Sequence, residues 1–303
     1  MATEQQSKVS PLQVWLLAAR PKTLPAAAAP TIAGSAAAWW DGSFQWGPAL
    51  ACVLAALLLQ IGANLANDVF DYHKGADTEK RLGPLRVTQA GLLSPGQVLA
   101  GMWVTFGLAA LLGLYLTLVA GWPVIAIGLL SIAAAIAYTG GPFPFGYYGL
   151  GDLFVFLFFG IAAVCGTYYV QAGTVSALAW WAAVPMGLLI TAILVVNNLR
   201  DIETDRQAGK HTLAVRLGAG GARVEYVLCL AVSYLVPILM WLFGAAPAGV
   251  LLSWVSLLLV PELLRLVFRE KGRVLNQALA GTGRLALVYA LLFSLGLVLS
   301  AAL

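Results

Sequence analysis

Apolar residues dominate this chain in long runs separated by short polar stretches. Nine runs of membrane-helix length follow one another, near 22–41, 46–70, 96–119, 122–139, 150–171, 176–199, 223–244, 246–268 and 284–303. About twenty apolar residues cross the hydrocarbon core as a helix, since lipid offers the backbone no hydrogen-bond partner. The pattern predicts an all-α polytopic membrane protein with about nine transmembrane helices, forming a single domain over 1–303. The first run is rich in alanine and contains Pro25 and Pro30, which predict a kink, and Pro21 suits the opening of a helix. Trp39, Trp40, Trp46, Trp180 and Trp181 stand at run ends, where interfacial aromatic belts form.

Polar residues enter the end of a run at two places. Asn64, Asn67, Asp68 and Asp71 fall at i, i+3, i+4 and i+7, which stacks them on one helix face, with Asp77 close behind. Asn197, Asn198, Asp201 and Asp205 repeat the theme at the end of the sixth run. Both sets contain Asn-x-x-x-Asp on helices running the same way, a weak echo of the parallel duplications found in some membrane folds. Ionisable residues at a membrane-length helix are by default a functional site.

The composition agrees: 61% of residues are hydrophobic and 10% charged, against about 25% charged in soluble domains. The net charge of +4 is no nucleic-acid signal, because the basic residues lie in short loops. All 17 fall on one side of a nine-helix topology: before the first helix, after the second (Lys74, Lys80, Arg81, Arg86), after the sixth, and between the eighth and ninth, where Arg284 is placed. The positive-inside rule makes that side cytoplasmic. A multi-pass protein of the cell (inner or plasma) membrane is expected, its N-terminus and polar loops in the cytoplasm and no cleaved signal peptide at its start. Cys52, Cys165 and Cys229 sit in apolar runs and read as buried hydrophobes.

Mg²⁺ prefers oxygen ligands and is usually held by one or two carboxylates together with substrate phosphates. Asp68, Asp71, Asp77, Asp201 and Asp205 are therefore candidate metal ligands. Lys74, Arg86, Arg200 and Lys210 stand beside them as candidate partners for phosphate oxygens. An apolar bundle behind such a clamp suits a lipid diphosphate. His73 and His211 read as solvated loop residues. Asp152 is either an N-terminal cap for the fifth helix or a site residue. The group Phe154, Phe156, Phe158 and Phe159 reads as lipid-facing or core packing rather than as a substrate wall.

Asn67-Asp-Val-Phe-Asp71 with Asp77, and Asn198-Leu-Arg-Asp201-Ile-Glu-Thr-Asp205, resemble the two aspartate-rich motifs of the UbiA superfamily of intramembrane prenyltransferases. Asn64-Leu-Ala-Asn-Asp, Lys74-Gly-Ala-Asp77, Gly83-Pro-Leu-Arg-Val-Thr-Gln89, Tyr138-Thr-Gly-Gly-Pro-Phe-Pro, Gly149-Leu-Gly-Asp152 and Gly166-Thr-Tyr-Tyr169 resemble the branch of that superfamily acting on 1,4-dihydroxy-2-naphthoate. Many superfamily members place the third acid four residues after the second, where this chain has Gly75; the acid here is Asp77.

The resemblance implies nine helices around a central cavity with a cytoplasmic polar cap. It implies Mg²⁺-dependent ionisation of a polyprenyl diphosphate and attack by the aromatic ring, with loss of CO₂ and pyrophosphate. The product would be demethylmenaquinone or its phytyl equivalent. By matching position, Asn67, Asp71, Asp77, Asp201 and Asp205 would hold Mg²⁺ and diphosphate, with Asn64 and Asn198 beside them. Arg86, Lys210, Lys74 and Arg200 would contact phosphate, and Tyr138 and Tyr148 would face the allylic cation. Lys22, a cation left over at the mouth of the first helix, would bind the acceptor's carboxylate. The implied partners are polyprenyl diphosphate, an aromatic acid and the lipid bilayer, without nucleic acid or an obligate protein partner. The alternatives are another acceptor, such as 4-hydroxybenzoate or homogentisate, or a secondary transporter. Transport fits less well, because the acids lie at helix ends on one face rather than on broken helices at the midplane.

Overall fold

The structure, a computed structural model, describes residues 10–76 and 81–302, and no strand occurs among them. Ten helices follow in order: α1 Pro11–Ala19, α2 Leu24–Trp40, α3 Trp46–His73, α4 Pro95–Ala120, α5 Pro123–Ala137, α6 Gly151–Ala172, α7 Ala177–Gln207, α8 Leu213–Leu242, α9 Ala248–Arg269 and α10 Leu275–Ala302. Seven of the described helices are long and apolar enough to cross a membrane. The 15-residue α5 and 17-residue α2 are shorter. Each of the nine apolar runs holds one helix of the set α2–α10.

Four boundaries differ from the sequence expectation. The first run is not broken at its prolines. Pro25 lies in the first turn of α2, where its missing N–H costs nothing, and the helix runs through Pro30 as one element. The chain turns instead at Arg20, a non-glycine residue at φ 53°, between α1 and a 3₁₀ turn at Pro21–Thr23. Helix α3 continues to His73 and α7 to Gln207, so Asp71, Asp201 and Asp205 stand on helices rather than beyond them. Helix α8 starts at Leu213, with a non-helical break at Gly218 (φ 70°, ψ 177°). Helix α10 starts at Leu275, so Arg284 belongs to it and not to the preceding loop; its side chain is exposed.

Helix α1 precedes the first membrane run. Ser10 accepts from the Gln13 amide at 3.3 Å and Gln13 Oε1 accepts from the Ser10 amide at 3.0 Å, a reciprocal capping box with proline in the first turn. Val14 and Ala18, one turn apart, pack with Leu65 and Ala66 of α3. Leu12, Trp15, Leu16 and Leu17 remain exposed, which suits an interfacial helix.

The larger core joins α2, α6, α7, α8, α9 and α10. Alanines 29, 33, 36 and 37 of α2 are buried there, and small side chains let membrane helices approach closely. Where α6 crosses α7, a Cβ on Gly160 would lie 2.8 Å from the Ala183 carbonyl oxygen, so glycine is required. A second core joins α1, α3 and α4. Residues of α2 to α7, with two from α10, surround a cavity of about 790 Å³.

Candidate active site

The cavity has a polar end and an apolar body. The polar end is built by the last turns of α3 and α7, where Asn64, Asn67, Asp71, Asn197, Asn198, Asp201 and Asp205 all line it. Both Asn-x-x-x-Asp sets therefore meet at one site. Two further segments complete the rim. One is the loop after α3, which brings Arg81 and Arg86; the other is the loop after α7, which brings Lys210.

Among the described residues Asp71 is the most heavily engaged acid of the site. Its carboxylate pairs with Arg86 at 3.0 Å and Lys210 at 3.2 Å, and it accepts the Tyr147 hydroxyl at 2.8 Å. The ammonium groups of Lys210 and Lys74 stand 4.5 and 5.0 Å from the centre of the Tyr147 ring. Asn67 accepts from Thr139 at 3.0 Å, and Asn64 donates to the Ala19 carbonyl and the Thr23 hydroxyl. In the second set Asp201 pairs with the buried Arg200, which also binds Asn197 and Asn276. Asp205 lines the cavity, and among the described residues its carboxylate makes no hydrogen bond or ion pair.

Several expected site residues have other surroundings. Asp68 is buried, and its two oxygens accept the amides of Val87 and Thr88, each at 3.1 Å, with Arg20 3.6 Å away. It pins the loop that carries Arg86 and does not line the cavity. Arg200 stands behind Asp201 rather than in the cavity, and Lys74 donates to the Thr139 carbonyl at 2.6 Å. Tyr148 is exposed and stacks on Phe143 with ring centres 4.2 Å apart, facing away from the site that its neighbour Tyr147 enters. Asp152 is buried, and among the described residues neither carboxylate oxygen has a hydrogen-bond partner, so it is not a hydrogen-bonding cap. Asp77 lies outside the described residues.

Tyr138 lines the cavity and packs edge-on against Phe145, with ring centres 5.4 Å apart. Lys22 lies at the cavity rim beside Arg20. Phe154, Phe158 and Phe159 line the apolar body and are not mere packing; Phe156 turns away to pack on Gly187 of α7.

The donor set suits Mg²⁺. Among the described residues the polar end presents carboxylate and amide oxygens, and cations stand among them for phosphate oxygens. Among the described residues no three Asp, Glu, His or Cys side chains cluster as a ready-made cation site. Asp71 and Asp201 are instead neutralised by Arg86, Lys210 and Arg200. This is the arrangement expected where phosphate oxygens supply part of a metal's coordination shell.

Membrane-length helices around an apolar cavity, closed at one end by acids, amides and cations, define an intramembrane protein shaped to hold an amphiphile with a polyanionic head. The chain belongs to the UbiA prenyltransferase family, whose profile matches residues 27–277. It is 44% identical to the 1,4-dihydroxy-2-naphthoate octaprenyltransferase of Escherichia coli (strain K12), over 98% of each chain. It is 43% identical to the Mycobacterium tuberculosis protein of the same name, over 91% of this chain and 94% of that one. Among solved structures, a UbiA homolog from Aeropyrum pernix K1 superposes with a TM-score of 0.69 at 17% identity, covering 91% of this chain and 97% of the other. A UbiA homolog from Archaeoglobus fulgidus bound to GPP and Mg²⁺ superposes at 0.64 with 12% identity, covering 94% and 99%. At these identities the solved structures speak for the fold alone.

Proposed function

We propose that this protein transfers a polyprenyl group from its diphosphate to 1,4-dihydroxy-2-naphthoate, releasing CO₂ and pyrophosphate. The observation that carries the reading is full-length identity of 39–44% to relatives named for that reaction. The joint site of the two Asn/Asp sets above an apolar cavity supports it.

The chemistry follows from the residues. The diphosphate head sits among Arg86, Lys210 and the acids, and the prenyl chain lies along the apolar wall. Asn67, Asp71, Asn198, Asp201 and Asp205 would hold Mg²⁺, which when bound offsets the charge of the departing diphosphate. The allylic C–O bond breaks and its electron pair leaves with the diphosphate. The Tyr138 ring, neutral and electron-rich on its face, stabilises the allylic cation. The ring carbon bearing the carboxylate forms the new C–C bond. The electrons of its bond to the carboxylate return to the ring as CO₂ leaves. No proton is removed from that carbon.

Lys22 and Arg20, which also line the cavity, provide charge for the acceptor's carboxylate. The site end faces the cytoplasm, by the distribution of basic residues, in a cell membrane of inner or plasma type. The chain works as one domain without an obligate protein partner.

The test is a panel of acceptors with the purified protein and octaprenyl diphosphate. Dihydroxynaphthoate should be prenylated with loss of its carboxylate. Preference for 4-hydroxybenzoate or homogentisate would move the chain to another branch. Solute counterflow without diphosphate release would point to transport.

A further inference from the structure

The first turn of α10 carries a side chain that joins three segments around the polar end of the cavity without lining it. Asn276 is half-buried there. Its Oδ1 accepts from Nη1 of Arg200 at 2.7 Å. Its Nδ2 donates to the carbonyls of Leu82 and Arg273, each at 2.9 Å. Turned over, the amide would set its N–H groups against a guanidinium, which has no acceptor, and its oxygen against two carbonyls. One orientation alone serves all three contacts. An aspartate in its place could keep the first contact and neither of the others.

What the amide joins are the two halves of the site. Arg200 is 3% exposed. Its Nε donates to Asp201 at 2.8 Å, and its Nη2 donates to Asn197 at 2.8 Å and to Asp201. Asn197 and Asp201 line the cavity from α7. Leu82 belongs to the loop after α3, whose Arg81 and Arg86 line the cavity from the other side, Arg86 paired with Asp71. The same loop lies tight on the same guanidinium: a Cβ on Gly83 would stand 2.8 Å from Nη2 of Arg200. A guanidinium locked by three side chains has little room to retreat, so glycine is required there. Resting on the prenyl-transfer reading, we propose that Asn276 is a positioning residue for the diphosphate. It fastens the loop that carries the phosphate-binding arginines to the guanidinium that orients Asp201. The spacing between the two acid sets is then set by α10, a helix that neither set belongs to.

The test uses the full-length protein in lipid nanodiscs. KM is measured for octaprenyl diphosphate and for dihydroxynaphthoate, and the Kd of geranyl diphosphate is measured by calorimetry without an acceptor. Asn276→Ala removes three hydrogen bonds and should raise both the diphosphate KM and the Kd by about tenfold. KM for the aromatic acid should stay within about twofold. Gly83→Ala should reproduce this split, because its Cβ drives the loop off the same guanidinium. Asn276→Asp keeps the acceptor for Arg200 and loses both N–H groups. It should shift the diphosphate values in the same direction, and it preserves the test where the alanine variant fails to insert. A residue that only steadied the bundle would lower Tm and the yield of active protein while leaving the two KM values in their wild-type ratio. That ratio unchanged, or an unchanged Kd, in Asn276→Asp and Gly83→Ala would overturn the positioning role. A wild-type protein that binds no prenyl diphosphate would refute the prenyl-transfer reading itself, and the role of Asn276 with it.

Discussion

Asp68 and Asp71 stand one turn apart on α3, and the structure gives them opposite tasks. Asp68 is 1% exposed, and its carboxylate is consumed by the amides of Val87 and Thr88, with Arg20 alongside. Substituting alanine leaves two buried backbone donors without partners. Each such loss costs about 1–3 kcal/mol, so Asp68→Ala should destabilise the fold by about 3 kcal/mol or more. For a chain of this size that lowers the apparent Tm by about 6 °C or more. Asparagine keeps one acceptor oxygen and turns an N–H toward the other amide, so Asp68→Asn should fall by roughly half as much. The assay is thermal unfolding of the detergent-purified protein, paired with kcat measured well below the transition. Activity there should stay within about threefold of wild type, since Asp68 reaches no substrate. An unchanged Tm with activity lost by about a hundredfold would refute this assignment and return Asp68 to the metal ligands.

Three further outcomes are expected. Tyr138→Phe should keep most activity, because the neutral ring face is what acts on the cation, whereas Tyr138→Ala should lose about tenfold or more in kcat; equal losses would shift the role to the hydroxyl. Lys22→Ala should raise KM for the aromatic acid about fivefold with little change for the diphosphate, and an unchanged KM with normal insertion would leave Lys22 as a headgroup anchor. With the native cysteines replaced, a cysteine at Gly209 should react with an impermeant thiol reagent only from the cytoplasmic side and one at Gly42 only from the other; the reverse pattern would invert the orientation.

The apolar runs foretold the helices α2–α10 because membrane length leaves the backbone few alternatives. The two Asn/Asp sets foretold the polar end of the cavity for the same reason: so many acids at a helix end require a purpose. What spacing could not separate was Asp68 from Asp71. Residues three apart on a helix differ by about 60° around its axis. That is enough for one to meet loop amides and the other the cavity, and only the course of the loop after α3 decides which. Tyr147 was overlooked in favour of Tyr148 because the 3₁₀ turn Phe145–Tyr148 sets which ring points inward, and its register leaves no pattern in the sequence. Phe159 on the cavity face of α6 was hidden by the π winding over Phe156–Cys165, since a period of 3.6 residues turns it away from the face that Phe154 and Phe158 share. Helix α1 was not among the expected helices, although Ser10-Pro11-Leu12-Gln13, a capping box with proline in the first turn, marks its start.

On the proposed reading, two acid sets act together on one prenyl diphosphate whose acceptor loses its carboxylate. The most direct measurement uses carboxyl-labelled dihydroxynaphthoate and octaprenyl diphosphate with the purified protein, following labelled CO₂ and pyrophosphate together. The two should appear in equal amounts, stop with EDTA and return with Mg²⁺. Asp71→Asn and Asp201→Asn should each slow both by about a hundredfold or more while the protein still inserts and folds. Pyrophosphate without matching CO₂, or full activity in either variant, would contradict that reading.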